Sequence, residues 1–200
     1  MIFKHIVGLF TNPKREWEAI RDDKCTMGKC YAMHVLILAA IPAVSGFIGT
    51  TQIGWQIGAG DPIKLTTQSA LIIALLYYLA MLVGVFSMGW MIHWMGNTYG
   101  TDASLSQSVV LAAYTATPLF LIGIMELYPV LWLNMVIGLP ALAYTVYLLY
   151  TGLPIMMGVS EDRGFLFSSA VLAVGLVAFV ALLVVTALLW GFGLEPAFTR

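Results

Sequence analysis

Five stretches of the chain, 30–60, 65–101, 103–125, 127–160 and 164–194, contain no Asp, Glu, Lys or Arg. Each is longer than the roughly 20 apolar residues a helix needs to cross the ~30 Å hydrocarbon core of a bilayer. Five crossings are therefore the natural count, expected at about 31–50, 69–94, 105–126, 130–150 and 166–190. A β-barrel would show alternating apolar and polar residues about ten at a time, whereas residues such as 171–190 are apolar all round. Only a helix satisfies every peptide group of such a run within the run itself. The expected fold class is all-α: a polytopic membrane protein with a bundle of five transmembrane helices. Residues 1–30 form an N-terminal amphipathic, interfacial helical segment, and 31–200 form the bundle. With 60% hydrophobic residues, 10% charged and a mean hydropathy of +0.92, the composition excludes an ordinary soluble domain.

The charges orient the chain. Six of the nine Lys and Arg precede the first span, and the excess of basic residues marks the cytoplasmic side. The N-terminus is thus expected in the cytoplasm, and an odd number of spans places the C-terminus on the opposite side. Trp90, Trp94, Tyr147 and Tyr150 would then sit at the inner interface, and Trp55, Tyr128, Trp132 and Trp190 at the outer one, where amphipathic rings are favoured. A net charge of −1 leaves no basic footprint for nucleic acid. Cys25 and Cys30 are too few and too close for a disulfide scaffold. No cleavable signal fits the charged leader.

Within the leader, Phe3, Ile6, Val7 and Phe10 recur at the spacing of one helical face. Asn12 followed by Pro13 is a suitable start for a second short helix, with Trp17 and Ile20 on one side. Lys14, Arg15 and Arg21 are expected to face lipid headgroups, so the segment reads as a membrane-surface anchor.

Candidate polar positions are few. Glu126 is the carboxylate flanked most closely by apolar spans, a functional candidate by its setting. Its place in an expected outer turn gives it a cap-like role within reach of Asn134, one helical turn into the next span. His34 and His93 map to the inner ends of their spans, partly wet. Cys30, His34, Cys25, Asp22 and Asp23 match no zinc spacing, so no metal or cofactor is expected. Met81, Gly84, Met88, Met91 and Met95 form a stripe best explained by helix packing, with Gly84 permitting a close approach; Ala112 and Ala116 make a similar small face. Pro42, Pro118 and Pro140 fall near the middle of three spans and each frees a carbonyl. Kinks at one depth would open a cavity lined by hydroxyls such as those of Tyr114, Thr115 and Tyr144. No nucleophile elbow, phosphate loop or His-Glu-x-x-His stretch is present, and no catalysis is expected.

Several segments carry a family resemblance: residues 9–20 (LFTNPKREWEAI), 34–55 (HVLILAAIPAVSGFIGTTQIGW), 113–120 (AYTATPLF), 127–132 (LYPVLW) and 147–154 (YLLYTGLP). Through them nearly the whole chain resembles the Ypt/Rab-interacting protein (Yip) family of five-span membrane proteins, most closely its bacterial inner-membrane branch of YohC-type proteins. The resemblance implies five spans and a cytoplasmic N-terminus. Eukaryotic members act in vesicle traffic through related membrane proteins and small GTPases. The long cytosolic N-terminal region and the Asp-Leu-Tyr-Gly-Pro motif of those members are missing here, so GTPase binding is not carried over. The leading expectation is a non-catalytic scaffold of the bacterial inner membrane that binds membrane lipids and other membrane proteins or further copies of itself. The alternative is a carrier or channel for a small solute, ion or lipid through the kinked midplane.

Overall fold

In the computed structural model of the chain, residues 2–23, 26–56, 58, 60–191 and 196–199 are described, with backbone alone for 2–4 and 189–190. Two short helices, α1 (Ile2–Thr11) and α2 (Pro13–Asp22), form a hairpin. Five long helices follow: α3 (Met27–Ile53), α4 (Thr67–Tyr99), α5 (Leu105–Leu127), α6 (Leu131–Met157) and α7 (Glu161–Gly191). All five are long and apolar enough to span a membrane, and among the described residues β-structure is confined to isolated bridges.

Local chemistry explains where the helices begin and end. Pro13 opens α2 with its pre-set φ, while Asn12 makes no side-chain cap. The Thr66 hydroxyl accepts from the Ser69 N–H at the head of α4, and Ser104 with Gln107 forms a reciprocal capping box at the head of α5, each satisfying N–H groups the helix itself leaves open. Gly100 and Gly158 adopt left-handed backbone just past α4 and α6, which stops both helices. The helices overrun the sequence-based limits. At about 1.5 Å per residue, the 33 residues of α4 and the 27 residues of α6 reach roughly 50 Å and roughly 40 Å, well beyond a ~30 Å core. Hydropathy marks the stretch that lies in hydrocarbon; capping and packing set where the helix stops.

Alternating crossings sort the connections onto two faces. One holds the α1–α2 hairpin, the 100–104 turn and the 158–160 turn, where the Arg163 guanidinium lies beside Gly100. On the other, residues 54–66 bridge to the α5–α6 turn and to the C-terminal tail through Gln56 N–H to Pro129 C=O (3.0 Å), Leu131 N–H to Gln56 C=O (3.1 Å) and Thr66 N–H to Ala197 C=O (3.0 Å).

The core centres on α5, most of which is buried, whereas α4 and α7 leave most of their large apolar side chains exposed. The close approach of α4 to α5 runs over Gly89, where an added Cβ would lie 2.5 Å from Val109 Cα. Gly84, expected to serve this purpose, faces open space; the methionine stripe turns Met81, Met88 and Met95 to the core but leaves that glycine on the outside. At Pro118 the Thr117 hydroxyl donates to the Tyr114 carbonyl (2.7 Å), the acceptor whose helical donor proline lacks.

Candidate functional site

The seat of the N-terminal hairpin is built from buried, specific contacts. Trp17, on α2, is fully buried against α6, where Gly152 has no room for a Cβ because the indole occupies that space. Ile20 is buried one turn on. On α1, Leu9 is fully buried and its carbonyl accepts from the Tyr144 hydroxyl at 2.7 Å. The Phe10 ring stacks on that of Tyr144, centroids 5.1 Å apart and nearly parallel. Arg21 Nη1 donates to the Ile155 carbonyl at 3.4 Å.

This seat corrects the membrane-surface reading of the leader at two positions. Ile6 and Trp17 are buried in the protein, whereas Val7, Phe10, Lys14, Arg15 and Arg21 are exposed. The reason is that α6 continues past the hydrocarbon and offers a glycine slot. A large ring buries more of its surface in a fitted slot than at a lipid interface. The Phe3 side chain lies outside the described residues.

A polar strip ties the hairpin to the bundle beside these anchors. Glu16 crosses over Gly8, which leaves room for its carboxylate, to meet His5 Nδ1 at 2.5 Å; Asp23 approaches His5 Nε2 at 3.8 Å. The His5 ring stands edge-on to Tyr114 (5.8 Å), and Tyr114 lies 4.2 Å from the ring of His34. His34 Nε2 is 2.9 Å from Thr117 Oγ1. The single Thr117 hydroxyl hydrogen goes to the Tyr114 carbonyl, so His34 must be the donor there. Its Nδ1 is then a buried acceptor without a partner. His34, expected to be partly wet, is fully buried because a π-helical turn at Tyr31–Val35 carries it inward, the kind of local widening that re-aims a side chain within a helix. Tyr114 is held between two histidines and Thr115 is buried with an unpaired hydroxyl, so neither lines the expected cavity. Cys30 is disulfide-bonded. Cys25 lies outside the described residues.

Near the opposite face, Glu126 takes a different partner from the one expected. Its Oε1 accepts from the Tyr77 hydroxyl at 2.9 Å, and its Oε2 lies over Gly46, where a Cβ would be 2.7 Å away. The Asn134 amide instead donates to the Tyr128 carbonyl at 3.1 Å, closing the α5–α6 turn locally. Glu126 therefore joins α3, α4 and α5. Tyr77→Phe removes one intramembrane hydrogen bond and should cost about 0.6 kcal/mol, and up to about 1.7 kcal/mol. Glu126→Gln retains an acceptor and should cost less. Thermal melting of the purified protein ranks the two; a larger loss from Glu126→Gln would give the charge itself a role.

The three prolines do not share a cavity. Pro42 is packed against Gly123, where a Cβ would lie 2.5 Å from Pro42 Cβ. Pro118 and Pro140, with Tyr144 and Phe10, line an apolar groove of about 420 Å³ on the outside of the bundle between α5 and α6. A second cleft of about 470 Å³ on the hairpin face is lined by Arg21, Asp22, Ser104, Ser106 and Gln107. Sequence reasoning missed His5, Leu9 and Gly152. Only Gly152 left a signal, a glycine kept in the interior of an apolar helix, which points to close packing.

The architecture defines a class: a five-span α-helical membrane protein with an N-terminal helical hairpin docked on one face of its bundle. The Yip1 domain model matches residues 7–182, from within the hairpin to the last span, and the chain belongs to that family. It is 46% identical over 189 residues to the inner membrane protein YohC of Escherichia coli strain K12, covering 94% of this chain and 97% of the relative. The YohC of Escherichia coli O6:H1 strain CFT073 gives the same figures. No solved structure matches.

Proposed function

We propose that the protein is a non-catalytic scaffold of the bacterial inner membrane that organises lipids and other membrane proteins around its bundle. The observation that supports it most is the docked hairpin. Trp17, Ile20 and Leu9 are used up as internal anchors, while Val7, Phe10, Lys14 and Arg15 remain outward, an apolar and basic surface of the kind that meets a membrane. The exposed apolar lengths of α4 and α7 add lateral surface against which other spans can pack. The inner membrane is the location carried by the name of the Escherichia coli relative. The six basic residues ahead of the first span support a cytoplasmic hairpin and a C-terminal tail across the membrane.

Photo-crosslinkers placed at Leu79 on α4 and at Leu183 on α7 test the reading in native membranes. Both side chains are more than half exposed. Covalent adducts with a second membrane protein, or with another copy, are the expected result. Recovery of uncrosslinked monomer alone from both positions would overturn it.

A further inference from the structure

The groove between α5 and α6 is bounded by Phe10 of α1, Pro118 and Leu121 of α5, and Pro140, Ala141 and Tyr144 of α6. On the five-span reading it lies at the depth of the hydrocarbon. At about 1.5 Å per residue, Tyr144 stands about 20 Å along α6 from Met157, and Pro140 about 12 Å from the interfacial Trp132. The groove thus begins near the bilayer midplane and runs toward the hairpin side, where Phe10 walls it. Its walls are apolar, and its one hydroxyl, that of Tyr144, is already bonded to the Leu9 carbonyl. A water-filled path or a polar solute has nothing to bind there; a hydrocarbon chain does.

The charge at the mouth says which chain. Phe10 forms the wall nearest the hairpin, and Lys14 and Arg15 follow it within about 14–18 Å of extended backbone, less across the helical turn. Both are exposed. Described α1 side chains include no acid, and Glu16 is turned onto Gly8 and His5. Glu18 is the nearest exposed acid on α2. We infer that this groove, with Lys14 and Arg15 at its mouth, is a binding site for an anionic glycerophospholipid of the hairpin-side leaflet, one acyl chain lying against Pro118, Ala141 and Tyr144. The inference rests on the membrane-organising reading above and names the lipid class it would act on. Because Phe10 and Tyr144 belong both to the groove and to the hairpin seat, a bound chain also braces α1 on the bundle.

Native mass spectrometry of the purified full-length protein, titrated with phosphatidylglycerol or phosphatidylcholine of the same chains, provides the test. Phosphatidylglycerol should bind about tenfold or more tightly than phosphatidylcholine, the scale expected of two basic side chains near an anionic lipid. Ala141→Trp fills the groove and should abolish that first bound lipid for both headgroups. Lys14→Gln with Arg15→Gln should equalise the two headgroups and leave chain binding in place. A phospholipid carrying a photoreactive acyl chain, applied to the unsubstituted protein, should label Leu121 and Ala141 ahead of the exposed faces of α4 and α7. Equal binding by Ala141→Trp, no preference between headgroups, or label spread evenly over every lipid-facing helix would overturn the site. Persistence of the protein crosslinks at Leu79 and Leu183 in the Ala141→Trp variant separates failure of the lipid site from failure of the scaffold reading.

Discussion

Trp17→Ala should release the N-terminal hairpin from the bundle. The indole is fully buried, and its slot exists because α6 carries glycine at 152. Truncating a buried Trp costs about 3–5 kcal/mol, which combines lost contact with the cavity left behind. The remaining anchors are smaller: Ile6, Leu9, Ile20 and the hydrogen bonds from the Tyr144 hydroxyl to the Leu9 carbonyl and from Arg21 to the Ile155 carbonyl. Few of them rest on backbone pairing with the spans, so the hairpin should open as a unit while the five spans stay assembled. Limited proteolysis in detergent should then cut between α2 and α3 at least about tenfold faster than in the unsubstituted protein, since a local opening free energy lowered by this much raises the open population accordingly. Gly152→Leu blocks the same slot from the other side and should give the same cleavage. A pattern unchanged in both variants would show that the hairpin stays seated without the indole.

Gly89→Leu should force α4 away from α5, the second large effect. A Cβ at that position would sit 2.5 Å from Val109 Cα and 3.0 Å from its nitrogen, and backbone atoms cannot step aside as a flexible side chain does. Overpacking of this kind costs about 1–3 kcal/mol when the surroundings yield, and more when a helix axis must shift. The internal control is Gly84→Leu. That residue sits on the same helix, in the same apolar stretch, with nothing within 4 Å of its Cβ direction. Melting of the two variants in one detergent should show a large drop for Gly89→Leu and almost none for Gly84→Leu; equal drops would contradict the packing of α4 on α5.

The contrast between these two glycines shows how far the residues alone carry the reading. Small residues spaced along an apolar helix announce that some close approach occurs, since glycine in a helix interior otherwise costs stability. They do not announce which one. Hydropathy in spans two and five is nearly uniform around the helix, so no face stands out as inward from composition. Burial of apolar surface cannot decide the matter either, because lipid is as apolar as the core. Gly89 is therefore invisible in the sequence and Gly84 misleading. The same blindness explains Trp17. An aromatic beside basic residues in an amphipathic segment fits a membrane interface on its own, and only the overhang of α6 with Gly152 turns the ring inward. Glu126 is recognisable as the embedded acid, but its partner Tyr77 is 49 residues away and chosen by how α4 leans on α5.

What the chain alone determined is its topology. Long uncharged stretches must be helices in a bilayer, because a peptide group has no partner there except along its own helix, and five such stretches count five crossings whatever their packing. What only the tertiary structure decided is which side of each helix meets protein. That choice rests on sub-ångström fit between surfaces of equal polarity: a glycine opposite a ring, a hydroxyl under a proline, a carboxylate over Gly8. Such fit leaves no trace in hydrophobicity, and it appears only once the helices are set side by side.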